Sequence, residues 1–137
     1  LLRDNWDGSL IVKGVMCPDD AEPLEKLGID AAWVSNHAGR QFAGSPSAID
    51  MLPAIRAVTN LPLIFDSGIE GGLDIMRAIG LGADFVMMGR AWHYALGAMG
   101  GAGPAHLLGM LNDDLKSNMI QIAASKLEEL PPLVYRS

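Results

Sequence analysis

Residues 61–90, LPLIFDSGIEGGLDIMRAIGLGADFVMMGR, contain a strand–helix–strand pattern. An apolar run at residues 61–66 turns through glycines into a segment of helical period at residues 73–81, and Gly82 follows where a helix C-cap is expected. A second apolar run occupies residues 84–90. Both runs are continuously apolar rather than alternating, which is typical of strands in a parallel sheet covered on both faces.

Two more strand–helix units precede this pattern, and further helices follow it. Together they make four βα units, which favours an α/β fold. Pro23 lies awkwardly inside the first predicted helix, and Pro53 lies near the start of the second. Pro131 and Pro132 then mark a tail at residues 125–137. The other predicted elements are strands at residues 10–14 and 31–37 and helices at residues 19–27, 48–58, 91–99 and 104–124.

The composition excludes several classes of protein. Ten basic against 16 acidic side chains give a formal net charge of −6, which argues against nucleic acid as a partner. Half of the residues are apolar and 19% are charged, so we expect a packed core rather than a disordered chain. The single cysteine, Cys17, cannot form an internal disulfide, and no Cys/His cluster has the spacing of a zinc site. A reducing compartment therefore fits best, and no metal is expected.

Two further features bear on membranes and processing. The N-terminus lacks both a methionine and a basic-then-apolar leader, so we expect no signal peptide and a chain cut at this end. Residues 91–111 carry no Asp, Glu, Lys or Arg, and they are numerous enough to span a bilayer. Pro104 and five glycines in this segment favour two helices joined by a turn at residues 100–103 instead.

Polar or glycine residues follow each of the four predicted strands. In parallel α/β folds the active site lies at the carboxyl ends of the strands, where the loops to the helices begin. We therefore expect the four strands to direct functional groups to one rim. The candidates are Lys13 with Gly14, Ser35-Asn36-His37 with Arg40, Asp66-Ser67-Gly68, and Gly89 with Arg90.

Three of these side chains, Lys13, His37 and Arg40, have chemistry that suits a small anionic ligand. Lys13 is either a lysine whose ammonium reaches solvent at the rim or a fixed cation that faces an anionic or electron-rich cofactor. A lone histidine is more often structural. His37 with Arg40 three residues later, however, pairs a proton acceptor with a bidentate carboxylate clamp, and we favour catalysis for this pair.

The loop at residues 66–72 resembles a phosphate-binding loop. Its glycines allow backbone N–H groups to approach an anion, and the following helix is expected to offer its positive N-terminal end. Glycine-rich βα turns are common, so this signal is weak by itself. Gly89 and Arg90 strengthen it, because (β/α)8 barrels frequently bind phosphate with two successive loops, and Arg90 supplies the positive charge that Glu70 cannot. No role is assigned to His93, His106 or Cys17.

Four segments of the sequence carry a family resemblance. They are LIVKGV at residues 10–15, VSNHAGRQ at residues 34–41, DSGI at residues 66–69 and GR at residues 89–90. These segments resemble the FMN-dependent L-2-hydroxy acid dehydrogenases and oxidases, and the Ser-Asn-His-x-Gly-Arg-Gln signature is highly specific. The resemblance runs from about Trp6 to Leu130. Within the family, the phosphate loop and the Gly89-Arg90-Ala91 sequence look most like the bacterial L-lactate dehydrogenases.

The resemblance implies a (β/α)8 TIM barrel of which residues 1–137 form the C-terminal half, strands five to eight. In the family, the lysine matching Lys13 contacts the flavin near N1 and C2=O, and the serine matching Ser35 also contacts FMN. The histidine matching His37 is the catalytic base, and the arginine matching Arg40 binds the substrate carboxylate. The residues implied to hold the ribityl phosphate are Asp66, Ser67, Gly68, Ile69, Glu70, Gly89 and Arg90.

The sequence departs from the commonest family pattern in three places. Ala38 stands where a glycine is usual, and Phe42-Ala43 stands where Leu-Asp is usual. Glu70 stands where many members carry a phosphate-binding arginine. Because a carboxylate repels a dianionic phosphate unless it points away, phosphate affinity would rest on backbone amides and Arg90.

The implied function is FMN-dependent oxidation of an L-2-hydroxy acid, with L-lactate to pyruvate as the first choice, in a protein that also contains the other half of the barrel. The alternatives are a glycolate oxidase or mandelate dehydrogenase of the same family, and a catalytically incompetent half-barrel. The implied partners are a small 2-hydroxy acid and a quinone, cytochrome or oxygen as electron acceptor, in a homo-oligomer.

The resemblance places the protein in the cytoplasm or bound peripherally to the cytoplasmic face of the inner membrane. By itself, a half-barrel exposes two strand edges and an apolar face. We therefore expect the isolated chain to aggregate, to self-pair or to require its other half.

Overall fold

A four-stranded parallel sheet organises the computed structural model, which describes residues 2–134. The strands follow one another across the sheet in chain order, and each pairs in parallel with the next. The bounds are β1 Ile11–Val15, β2 Ala31–Val34, β3 Leu63–Phe65 and β4 Phe85–Val86. The α/β fold with a parallel sheet is therefore confirmed.

Helices connect the strands and follow the last one. Short 3-10 turns occur at Arg3–Asn5, His37–Gly39, Gly100–Ala102, Leu127–Glu129 and Pro131–Leu133. Within the described residues, no helix is both long and apolar enough to cross a membrane. The α-helices are α1 Pro18–Ala21, α2 Ala48–Val58, α3 Gly72–Gly80, α4 Arg90–Met99 and α5 Gly103–Gln121.

The prediction of the first helix at residues 19–27 is wrong in its length. α1 ends at Ala21, and the chain continues in turns to Gly28. Pro23 has no N–H to donate to the preceding turn, which favours an end of the helix before it. Pro53, by contrast, lies in the interior of α2 rather than near its start, and the helix continues to Val58.

The fourth strand is also shorter than predicted. Of residues 84–90, only Phe85 and Val86 pair with β3. β4 is the last strand in the sheet order, so a ladder forms on one side of it. A strand assignment requires a pairing neighbour, and the apolar sequence alone does not supply one.

The two faces of the sheet differ sharply in burial. On the face covered by helices, the side chains of Val34, Leu63 and Phe65 are at most 1% exposed, and Leu52 of α2 packs with them in one core cluster. The opposite face carries a row of laterally paired residues, Lys13, Trp33, Ile64 and Phe85. Phe85 in this row is 58% exposed. The core is therefore complete on one face only.

The helices after β3 and β4 pack closely where a glycine removes a side chain. A Cβ at Gly72 would collide with the backbone nitrogen of Leu115 on α5. The gap left by the missing Cβ lets the Asp114 carboxylate accept a 2.6 Å hydrogen bond from the Gly72 amide. This contact joins the start of α3 to α5.

The predicted tail at residues 125–137 includes residues that pack on the helices. Leu130 is only 2% exposed and lies in a small cluster with Met119 and Ala124. The last three residues of the predicted tail, 135–137, lie outside the described residues, as does Leu1. This small cluster thus extends the packing beyond the sheet.

Candidate active site

The carboxyl ends of the four strands meet at two adjoining cavities. The larger has a volume of about 620 Å³ and contains all of the predicted site residues except Gly14, Ser35 and Asn36, which line the smaller. The smaller, of about 320 Å³, contains Ser35 and shares Lys13 and His37 with the larger. Volumes of this size are typical of ligand pockets. The structure thus brings the sequence-predicted residues together at one rim.

The loop after β2 has an unusual backbone that presents His37 to the cavity. His37 and Ala38 have left-handed φ angles of 54° and 55°, and Gly39 continues with 72°. A left-handed conformation costs a residue with a side chain roughly 1–2 kcal/mol. Such strain persists where the surroundings determine the conformation, and it is frequent at functional sites. Ala38 has one of these φ angles, so it bears a strain energy that a glycine at this position would not have.

Two serine hydroxyls hold this turn in place. Ser35 is 3% exposed, and its Oγ accepts a 3.2 Å hydrogen bond from the His37 amide. Ser67, at the end of β3, accepts a 3.1 Å hydrogen bond from the Ala38 amide and donates one of 2.8 Å to Asp66 Oδ1. The orientation of His37 is therefore tied both to its own strand and to the neighbouring one.

Lys13 is fixed between an acid and an aromatic ring. Its Nζ lies 3.6 Å from Asp66 Oδ2 and 4.2 Å from the centre of the Trp33 ring. The side chain retains 39% of its accessible surface. Of the two interpretations of Lys13, the geometry favours a fixed cation over a lysine extended into solvent, because both contacts hold the ammonium and Lys13 lines both cavities.

Arg40 differs from the other permanent cations of the larger cavity. Lys13 is paired with Asp66, and Arg90 approaches Glu70 at 3.4 Å. Arg40 has no acidic partner among residues 2–134 and is exposed at the cavity wall. A guanidinium without an internal partner is available to bind a carboxylate in bidentate fashion.

The N-terminal end of α3, predicted to face an anion, is partly occupied by acids of the chain itself. The Glu70 amide just before the helix donates to Asp74 Oδ2 at 3.1 Å, and the Gly72 amide donates to Asp114. The Leu73 and Asp74 amides meet no acceptor among the described residues, so this helix start keeps free donors. The role of this helix end in anion binding stays a prediction.

The start of α4 has the properties expected of a phosphate site. Arg90 and Ala91 begin the helix, so their amides have no acceptor within it. Across the cavity, no acceptor in the described part of the chain meets the amides of Gly68 and Ile69. A Cβ built at Gly68 or Gly89 would meet no atom within 4 Å, so both backbones border open space. The residues present therefore fit a phosphorylated cofactor.

Several cavity residues were not predicted from the sequence. His93 follows Arg90 by one helical turn, and its Nδ1 lies 3.0 Å from the Gly89 carbonyl oxygen. The three-residue spacing from Arg90 is the signal that could have identified it. The described residues contain no group of three or more His, Cys, Asp or Glu side chains arranged to bind a metal. The other additional lining residues are Met16, Ala38, Gln41, Phe42, Ser45, Met88, Ala91 and Tyr94.

Comparison with known proteins gives consistent relatives. An L-lactate dehydrogenase of Chromohalobacter salexigens is 42% identical over 131 residues, covering 94% of this chain and 33% of that protein. A soluble mutant of the membrane-associated (S)-mandelate dehydrogenase of Pseudomonas putida superposes with a TM-score of 0.91 at 37% identity, over 96% of this chain and 38% of that one. A Pediococcus acidilactici protein assigned as a lactate oxidase gives 0.90 and 34%, over 96% and 37%.

The chain spans about a third of the length of these relatives. The sequence profile of the FMN-dependent dehydrogenases matches residues 1–137, and FMN is the cofactor of that family. This match over the whole of the chain, together with relatives above 30% identity that agree in fold, shows that the chain belongs to the FMN-dependent dehydrogenase family.

Proposed function

We propose that this chain forms strands five to eight, the C-terminal half, of a (β/α)8 barrel that oxidises an L-2-hydroxy acid, with L-lactate to pyruvate as the preferred reaction. The exposed face that carries Phe85 supports an incomplete barrel, because in a closed barrel this face fills the interior. The threefold greater length of the relatives supports it as well. The missing half would supply the remaining wall of the flavin pocket.

The observation that carries the proposed reaction is the pairing of His37 with an acid-free Arg40 at one cavity wall. Arg40 binds the substrate carboxylate with its guanidinium fork. His37 accepts a proton from the substrate, since a neutral imidazole carries an unprotonated ring nitrogen that can act as a general base. FMN, when bound, would supply the acceptor for the two electrons and the second hydrogen that the hydroxy acid loses in becoming the keto acid. Ser35 and Ser67 keep His37 in place through the backbone contacts described above.

The same proposal assigns cofactor contacts to the remaining cavity residues. Lys13 supplies a fixed positive charge to the flavin ring, and Ser35 lies in the adjoining smaller cavity. The phosphate lies at the start of α4, against Gly89 and Arg90, with the Gly68 and Ile69 amides opposite. Asp66 and Ser67 act in this arrangement by holding Lys13 and the Ala38 amide.

Replacing His37 with Gln in the full-length protein tests the catalytic assignment. We expect flavin reduction by L-lactate to be lost while FMN remains bound, which absorbance spectroscopy and anaerobic stopped-flow measurements report separately. Arg40→Lys loses the bidentate fork and should mainly raise KM for lactate. Undiminished reduction in His37→Gln, or unchanged saturation in Arg40→Lys, would contradict the respective role.

Mandelate is the second candidate substrate, because the (S)-mandelate dehydrogenase of Pseudomonas putida shares this fold with a TM-score of 0.91. Glycolate is the third choice within the same family. Activity on lactate, mandelate and glycolate, each with and without oxygen, distinguishes these substrates and identifies the electron acceptor as oxygen or as a quinone or cytochrome. A purified chain without flavin absorbance would favour a catalytically incompetent half-barrel.

The proposal extends to assembly and location. We expect a homo-oligomer of the full-length protein, located in the cytoplasm or bound peripherally to the cytoplasmic face of the inner membrane. The membrane-associated mandelate dehydrogenase among the structural relatives supports the peripheral location. Sedimentation velocity and fractionation of cells into membrane and soluble material measure the two properties.

A further inference from the structure

The phosphate end of the larger cavity contains an acid that faces its arginine. The Glu70 Oε1 lies 3.4 Å from the Arg90 guanidinium, and both side chains line the cavity. Glu70 is 74% exposed and Arg90 is 63% exposed, so neither is held there by burial. The pair is weak enough to separate, and the carboxylate remains nearby when it does.

Few other positive groups compensate for this acid. The Glu70 amide and the Gly72 amide at the start of α3 already donate to Asp74 and Asp114, and the residues of α3 do not line the cavity. Lys13 is committed to Asp66. A dianionic phosphate at the start of α4 is therefore left with that helix terminus, the Gly68 and Ile69 amides, and the Arg90 side chain that Glu70 also contacts.

We propose that Glu70 is a specificity-determining residue: by competing with the cofactor phosphate for Arg90, it narrows the preference of this site for FMN over riboflavin. The two flavins share the ring and the ribityl chain and differ by the phosphate, so a change confined to FMN isolates the phosphate end. The inference rests on the proposed binding of FMN at this cavity.

The test is a titration of the full-length apoprotein with FMN and with riboflavin, followed by quenching of flavin fluorescence at low ionic strength. For Glu70→Gln we expect FMN to bind about threefold to tenfold more tightly, with riboflavin changed by less than about twofold. In an Arg90→Gln background the gain from Glu70→Gln should shrink, because the contested cation is absent. Glu25→Gln is the matched control, since Glu25 is exposed and does not line either cavity.

Each outcome supports or overturns the proposal. An unchanged or weaker FMN affinity in Glu70→Gln overturns it, as does an equal gain for riboflavin. An equal gain with and without Arg90 would show direct repulsion of the phosphate rather than competition, and it overturns the proposal as well. If the unmodified protein binds neither flavin, the proposed function itself fails, whereas normal FMN binding with an inert Glu70 rejects only this inference.

Discussion

Removal of the Ser67 hydroxyl should impair catalysis although Ser67 itself carries no reactive role. Its Oγ accepts the Ala38 amide at 3.1 Å and donates to Asp66 at 2.8 Å, so Ser67→Ala breaks the link between β3 and the turn that presents His37. The hydrogen bond to the Asp66 carboxylate is of the stronger, charge-assisted kind and contributes roughly 1.5–3 kcal/mol. The hydrogen bond from the Ala38 amide contributes roughly 0.5–1.5 kcal/mol.

Water can replace part of both contacts, because Ala38 is exposed and Asp66 keeps Lys13. We therefore expect a net loss of about 1–2 kcal/mol in transition-state stabilisation, which corresponds to a roughly fivefold to thirtyfold fall in kcat/KM. The assay is steady-state oxidation of L-lactate by the full-length protein, with FMN occupancy measured on the same samples. Ser117→Ala, an exposed substitution on α5, is the matched control.

Ser67→Gly separates the hydroxyl from the backbone conformation. Ser67 has a φ of 83°, which glycine adopts without strain. If the hydroxyl matters, both Ser67→Ala and Ser67→Gly should lose activity. Full activity in Ser67→Gly with low activity in Ser67→Ala would show that the hydroxyl is dispensable once the backbone strain is relieved, and it would refute the reasoning.

Two further predictions concern stability. Gly72→Ala should lower Tm of the full-length protein, with an expected cost of about 1–3 kcal/mol, because the added Cβ collides with the backbone nitrogen of Leu115; an unchanged Tm in thermal unfolding would contradict this close packing. The 2.7 Å hydrogen bond from the Leu10 amide, assisted by Arg3, lowers the pKa of Asp30 below its ordinary value of 3.8. The stabilisation is therefore present above about pH 3.8 and is lost as the pH falls through the lowered pKa. Asp30→Asn should have a lower Tm than the unmodified protein at neutral pH, and the difference in Tm should close on acidification. A difference in Tm that is independent of pH would exclude this linkage.

The sequence was sufficient to predict the sheet and the location of the site, because both depend on local patterns. Continuous apolar runs identified the four strands, and the rule that parallel strands end at one rim brought His37 and Asp66 to the same cavity. Gly82 was also predicted as a helix end. Its φ of 112° and the hydrogen bond from its amide to the Ile79 carbonyl oxygen confirm this.

The parts that the sequence did not predict depend on contacts between distant residues. The cap on the Gly72 amide comes from Asp114, 42 positions along the chain, and no local pattern indicates it. The length of β4 depends on a neighbouring strand rather than on its own apolar residues. The Ser67 hydroxyl accepts a hydrogen bond from the Ala38 amide because two loops from different strands meet in space, and no pattern in the sequence indicated this contact.

Because the two sheet faces differ in burial, they contribute to different free energies. Burial of Leu63 and Phe65 beneath the helices contributes to the stability of the chain by itself. In the proposed barrel, Phe85 becomes buried only when the other half covers that face, so the hydrophobic free energy of its burial would contribute to the affinity between the two halves. A substitution of Phe85 would therefore weaken the association of separately expressed halves more than it weakens the fold of either half. Flavin binding by the reassembled halves would report the strength of that association.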